Sequence, residues 1–184
     1  MTSAAHDPGG KVRLKMPKGM VGDAVFAGPN DCYRPLLSRR WSAIDGRFML
    51  WIGCNPSTAA ADVDDPTIRR EVDYTMRLGY NGYVKCNVAD FRATKPKSLA
   101  EPAIQPISDL NRATILNQAS QASLIVLAWG AVPKRIEPAA VELDRTLHSL
   151  GYKTYCLGFT KTGHPRHPLY MPKSAELVEF WPNG

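Results

Sequence analysis

Residues 47–88 read RFMLWIGCNPSTAAADVDDPTIRREVDYTMRLGYNGYVKCNV. The stretch opens on an almost unbroken apolar run over 47–54, the pattern of a strand buried on both faces. Asn55-Pro56 ends it with turn chemistry. Asp65 then stands where a helix N-cap belongs, and Pro66 suits the first helical position. Ile68, Val72 and Met76 recur on one face until Gly79, which predicts a helix over 66–78. A second apolar run follows at 83–88. Strand, helix and strand in this order form a βαβ unit, with parallel pairing and a right-handed crossover.

The same alternation continues towards the C-terminus. Residues 108–121 and 138–150 carry helical periodicity, the latter closed by Gly151. Residues 123–129 and 152–157 read as strands, and 173–180 as a last short helix. Upstream, 24–41 alternates weakly around Gly28-Pro29-Asn30-Asp31 and reads as a β-hairpin. Residues 1–20 are rich in Gly, Pro and Lys and lack periodicity, so they read as a flexible basic arm. The expectation is α/β: one domain over 21–184, a short, mainly parallel four-stranded sheet and an N-terminal β-hairpin.

With 184 residues, 44% of them hydrophobic, the chain can bury a core without disulfides or metal. No apolar run approaches the roughly 18 residues of a membrane span. The N-terminus lacks the pattern of a signal peptide, so a cytoplasmic location away from membranes is expected. The four cysteines, Cys32, Cys54, Cys86 and Cys156, form no C-x-x-C pair and read as buried, inert thiols. The formal charge is +6, and residues 11–40 hold seven basic side chains against two acidic ones. That excess would attract polyanions. Walker A, G-x-G-x-x-G and G-x-S-x-G motifs are absent, which disfavours P-loop hydrolysis, dinucleotide redox chemistry and α/β-hydrolase chemistry.

In open parallel sheets, ligands bind beyond the carboxyl ends of the strands. The loops after 54, 88, 129 and 157 should therefore meet. They carry Asn55, Pro56 and Ser57; Asn87, Phe91, Arg92 and Lys95; Trp129 and Gly130; and Lys161, His164, Arg166, His167 and Tyr170. Asn87 can read a nucleobase edge with a donor and an acceptor. A histidine on the last loop can donate to a developing anion. Asp62, Asp64 and Asp65 offer a different chemistry, a divalent cation site.

Tyr33-Arg34, Leu37-Ser38-Arg39, Trp41, the Asn-Pro-Ser-Thr-Ala at 55–59, the Asp-Asp-Pro-Thr at 64–67, Asn87, the Ala-Trp-Gly at 128–130 and the segment 161–170 resemble a bacterial family of unknown function. The order of these motifs is also distantly similar to the uracil-DNA glycosylase superfamily. Gly53-Cys54-Asn55-Pro56-Ser57 is similar to its first-strand Gly-x-x-Pro motif. Asn87 is similar to the asparagine that reads the base, and Gly130 to the glycine ending the third strand. His167-Pro168-Leu169 is similar to the His-Pro-Ser loop, with Leu169 in place of serine, and His164-Pro165 is a second match.

That resemblance implies a three-layer α/β/α sandwich and an N-glycosylase that excises a nucleobase from DNA or from a modified nucleotide. It implies that Asn55 positions the water and that His167 supports the departing base. Asn87, with Pro56, Ser57, Gly130 and His164, would bind substrate, and Phe91, Trp129 or Tyr170 would stack on the base. Arg39, Arg40, Arg92, Lys161 and Arg166 would hold phosphates. Neither metal nor cofactor is implied. The expected partner is nucleic acid or a nucleotide. Two alternatives remain open: a non-catalytic nucleic-acid- or nucleotide-binding module, favoured by an amide at Asn55 where a carboxylate would be the stronger base, and a metal-dependent enzyme using Asp62, Asp64 and Asp65.

Overall fold

The computed structural model describes residues 5–10, 12–43 and 46–180. Its centre is the predicted βαβ unit. Strand β4 (Phe48–Gly53) leads through helix α1 (Pro66–Arg77) to β6 (Gly82–Asn87), and β4 and β6 pair in parallel along their whole length. All residues of both strands are buried, which explains their near-continuous apolar reading. Asp65 caps α1 as its position predicts, its side chain accepting the Ile68 amide at 2.9 Å. Helix α2 (Asn111–Ala119) returns the chain across β4 to β7 (Leu124–Leu127), and α3 (Glu137–Ser149) continues it to β8 (Thr154–Cys156). The four predicted strands are thus β6, β4, β7 and β8, neighbours in that order and parallel to one another.

The sheet is larger than the four strands expected. It is a seven-stranded mixed sheet. The N-terminal hairpin, β2 (Val21–Ala27) and β3 (Tyr33–Arg40), adds itself antiparallel to β6. The segment read as a last helix is instead β9 (Val178–Phe180), antiparallel to β8. Both differences share one cause. The outer edges of β6 and β8 carry unpaired backbone groups, and pairing them outweighs local propensity. Phe180 is also drawn in by aromatic packing, with ring centroids 5.6 Å from Phe159 and 6.4 Å from Trp129.

Side chains of β4 alternate between two cores. Phe48, Leu50 and Ile52 pack with Ile115 of α2 and with Leu143 and Leu147 of α3. Met49 and Trp51 pack with Ile68, Val72 and Tyr74 of α1. Helices therefore cover both faces. A two-stranded sheet of β1 (Leu14–Lys15) and β5 (Val63–Asp64) ties the N-terminal segment to the loop before α1. The described part of the expected arm makes further contacts. The Thr94 amide donates to Pro8 O, and the His6 ring stands 5.0 Å from that of Phe91. Residues 1–4 and 11 of that arm lie outside the described residues. Among the described residues no helix is long and apolar enough to cross a membrane.

Candidate functional site

From β4 the chain turns one way to β6 and then crosses to β7 on the other side, so a crevice opens beyond the carboxyl ends of these strands. A cavity of about 770 Å³ lies there, within the ~300–1,000 Å³ usual for small-molecule sites. Asn55 from the loop after β4, Asn87 from the end of β6 and His167 from the loop after β8 all line it. Ser57, Gly130, Lys161, Arg166 and Tyr170 line it as well.

Asn55 stands two residues beyond the end of β4. Its Nδ2 donates to Ala93 O at 2.6 Å and to Pro56 O at 3.0 Å, so both amide protons are committed. The function left to this side chain is the acceptor Oδ1. Asn87 ends β6 and is 1% exposed. Asn111 of α2 holds the backbone there, donating to the carbonyls of Asn87 and Val88 at 3.2 and 2.9 Å. Asn87 Nδ2 is buried and has no hydrogen-bond partner among the described residues. Gly53 makes room for these groups, because a Cβ on it would stand 2.8 Å from Asn87 Oδ1 and 2.5 Å from Lys85 Nζ.

His167 lies on a braced loop. Arg166 N donates to Gly158 O and Gly130 N to Pro165 O, both at 2.8 Å. Gly130 has φ +67°, and a Cβ on it would come within 3.1 Å of the His167 Cβ. The Leu169 amide donates to His167 Nδ1 at 3.3 Å, so Nδ1 is the acceptor and Nε2 carries the proton. Burial, and secondarily the positive charge of Lys85, bring the imidazole down to about 4 against a small opposing pull from Asp65. At neutral pH His167 is an uncharged Nε2–H donor. Tyr170 stands exposed beside it, with ring centroids 5.7 Å apart.

Several expected residues lie elsewhere. Arg39 was expected on phosphates. It is fully buried, with Nε on Asp64 Oδ1 at 2.9 Å and its other nitrogens on the carbonyls of Ser38, Ala60 and Val63. Arg40 pairs with Gly82, at the amino end of β6 rather than the carboxyl end. The Arg92 guanidinium lies 5.0 Å from the Phe26 ring centroid and donates to Asp31 O. Phe91 packs on His6 and Tyr33. His164 Nε2 meets Glu137 Oε1 at 3.0 Å, which ties the loop to α3. Pro56 does not line the cavity; its carbonyl takes the amide of Ala93.

The three acids have separate tasks too. Asp62 is exposed. Asp64 is buried between Arg39 and Arg69, and Asp65 caps α1 while lining the cavity. Among the described residues no three His, Cys, Asp or Glu side chains are grouped to hold a metal ion. Burial pushes the Cys54 and Cys86 thiols up to about 12.

Lys85 and Arg34 line the cavity but were not singled out from the sequence as site residues. Lys85 is 4% exposed and gives its Nζ to Glu71 Oε1 at 2.6 Å, while Tyr83 OH donates to Glu71 Oε2 at 2.5 Å. Arg34 is 1% exposed. Trp129, an expected stacking residue, also lines the cavity, and its Nε1 is buried without a partner among the described residues. The pairing of Lys85 with Glu71 left a trace in sequence. A lysine interrupts an otherwise apolar strand, and a glutamate sits on the inward face of the preceding helix, between Ile68 and Thr75.

Residues 34–169 match a family described as protein of unknown function (DUF1643), nearly the span from which membership of such a family was expected. No curated protein and no solved structure matches the chain.

Proposed function

The chain belongs to the DUF1643 family, and we propose that within it this protein is a nucleobase-excising N-glycosylase acting on DNA or on modified nucleotides. The observation that carries the reading is the convergence of Asn55, Asn87 and His167 on one cavity from three separate parts of the chain. The similarity of motif order to the uracil-DNA glycosylase superfamily supports it, as does the packing of helices against both faces of the mixed sheet.

Breaking a base–sugar bond leaves the bonding pair on the base and positive character on the sugar. His167 Nε2–H donates to the base as negative charge builds there, a preorganised electrostatic contribution. A neutral imidazole suits this role because it need not be recharged between turnovers. Asn55 Oδ1 accepts from a water and aims its oxygen at the anomeric carbon. An amide cannot take up the water's proton, so that proton passes to the departing base or to solvent. Asn87 Nδ2, buried without a hydrogen-bond partner among the described residues, donates to an acceptor on the base edge. Tyr170 supplies an aromatic face at the mouth, and Lys161 and Arg166 supply charge for phosphates.

The test is incubation with oligonucleotides and free nucleotides carrying a broad panel of modified bases, followed by alkali and analysis of released base. Release is expected from wild type, with a loss of about 10²–10³-fold in His167→Ala. Binding with no release from any substrate would make the chain a binding module and defeat the enzymatic reading.

A further inference from the structure

The excision reading leaves one wall of the cavity unused. Arg34, from β3, lines that wall. Its Nη1 donates to Ala59 O at 2.6 Å, but Nε is buried without a partner, and the guanidinium makes no ion pair among the described residues. Asp65 acts on it only through space. Burial lowers Arg34 to about 10, so it stays charged at neutral pH. A desolvated guanidinium satisfied by one carbonyl is costly. Its planar fork of donors matches phosphate or carboxylate oxygens.

A second feature faces the same space. Asp65, Pro66, Thr67 and Ile68, the start of the 12-residue helix α1, line the cavity beside Arg34. The cap takes the Ile68 amide, and the Arg69 amide goes to Asp65 O. The Thr67 amide has no intrahelical partner, and the helix dipole places partial positive charge there. A helix N-terminus and a buried, partly unpaired guanidinium are complementary anion donors.

We propose that Arg34 and the first turn of α1 form an oxyanion subsite inside the cavity that takes the phosphate group of a nucleotide. This deepens the excision reading and in its choice of a nucleotide rests on it. A phosphate held inside a cavity of about 770 Å³, beside Asn87 and His167, makes the substrate a free or terminal nucleotide rather than an internal nucleotide of a duplex.

The full-length protein is titrated with inorganic phosphate and with nucleoside 5′-monophosphates at constant ionic strength, followed by calorimetry and thermal unfolding. Wild type should bind phosphate saturably with a rise in Tm, and bind at least one mononucleotide more tightly. Thr67→Glu places a carboxylate where the first helical turn welcomes it, so Tm without ligand should hold or rise. Phosphate binding should weaken about tenfold or more, since a charge-assisted contact is replaced by repulsion. Arg34→Lys should lose a similar factor. If that variant does not fold, Thr67→Glu decides alone.

No phosphate binding by wild type, or equal binding by wild type and Thr67→Glu, overturns the subsite. Mononucleotides that bind no better than phosphate overturn the choice of ligand. Phosphate binding without base release from any substrate removes the excision reading and leaves the subsite. Base release from internal duplex positions that Thr67→Glu does not change, with no phosphate binding, does the reverse.

Discussion

Replacing His167 with asparagine removes a titrating ring while keeping an acceptor for the Leu169 amide. The effect on stability should depend on pH, and its sign follows from where the two states take up a proton. Burial brings the folded imidazole down to about 4 from its ordinary 6.5. Between those values the unfolded chain binds a proton that the folded chain refuses, so wild-type stability falls as pH drops through this window. Each pH unit removes about 1.4 kcal/mol. Over the whole window, allowing for the ring's partial exposure, the loss is about 2–3 kcal/mol. At pH 7 the group contributes its full share, and below pH 4 none of it remains. Burial raises Glu71, Asp90 and Asp144 as well, but wild type and variant share them and they cancel in the difference. Urea unfolding at about pH 7, 5.5 and 4.5 should show wild type losing about 2 kcal/mol more than His167→Asn. Nitrogen NMR of the imidazole should report the Nε2–H tautomer and no protonation at pH 6. A stability difference that stays flat over this range, or a ring that titrates near 6.5, would refute the buried neutral donor and the role built on it.

Other outcomes follow from the same geometry. Glu71→Ala strands the Lys85 ammonium and the Tyr83 hydroxyl and should cost about 3–5 kcal/mol, whereas Glu71→Leu combined with Lys85→Met should recover most of that loss in urea unfolding. Gly130→Ala forces a non-glycine residue to φ +67° against the His167 Cβ. It should cost about 1–2 kcal/mol and lower base release more than substrate affinity, read from single-turnover rates against binding. Asn55→Asp, which on chemical grounds supplies a stronger base, replaces a donor to two carbonyls with an acceptor. It should lower stability by about 2–3 kcal/mol in thermal unfolding and give no gain in rate.

The site itself was partly legible before the fold. Asn55, Asn87, Gly130 and His167 could be gathered because each stands at or beyond the carboxyl end of an apolar run, and the ends of parallel strands share one side of a sheet. Arg39, Arg92 and His164 could not be placed in the same way. They stand near the same motifs, but Asp64, the Phe26 ring and Glu137 claim them. A basic residue in a loop reads alike whether it faces a phosphate or a buried carboxylate, because the deciding partner lies far away in sequence. Arg34 shows the converse. It sits in a strand and looks structural, yet it reaches the cavity with a donor unused.

What the chain wrote locally survives in the structure: the βαβ order, the Asp65 cap and the four parallel strands. Apolar runs, helical spacing and capping act over a few residues, so they can be read without knowing the neighbours. Only tertiary packing decided that the hairpin and 178–180 would extend the sheet to seven strands. It also decided that Lys85 would be buried against Glu71 and Tyr83, and which of the basic residues would reach the cavity. Edge pairing and charge burial depend on which distant segment arrives alongside, and the energy of a desolvated charge is set by that neighbour rather than by the residue's own type.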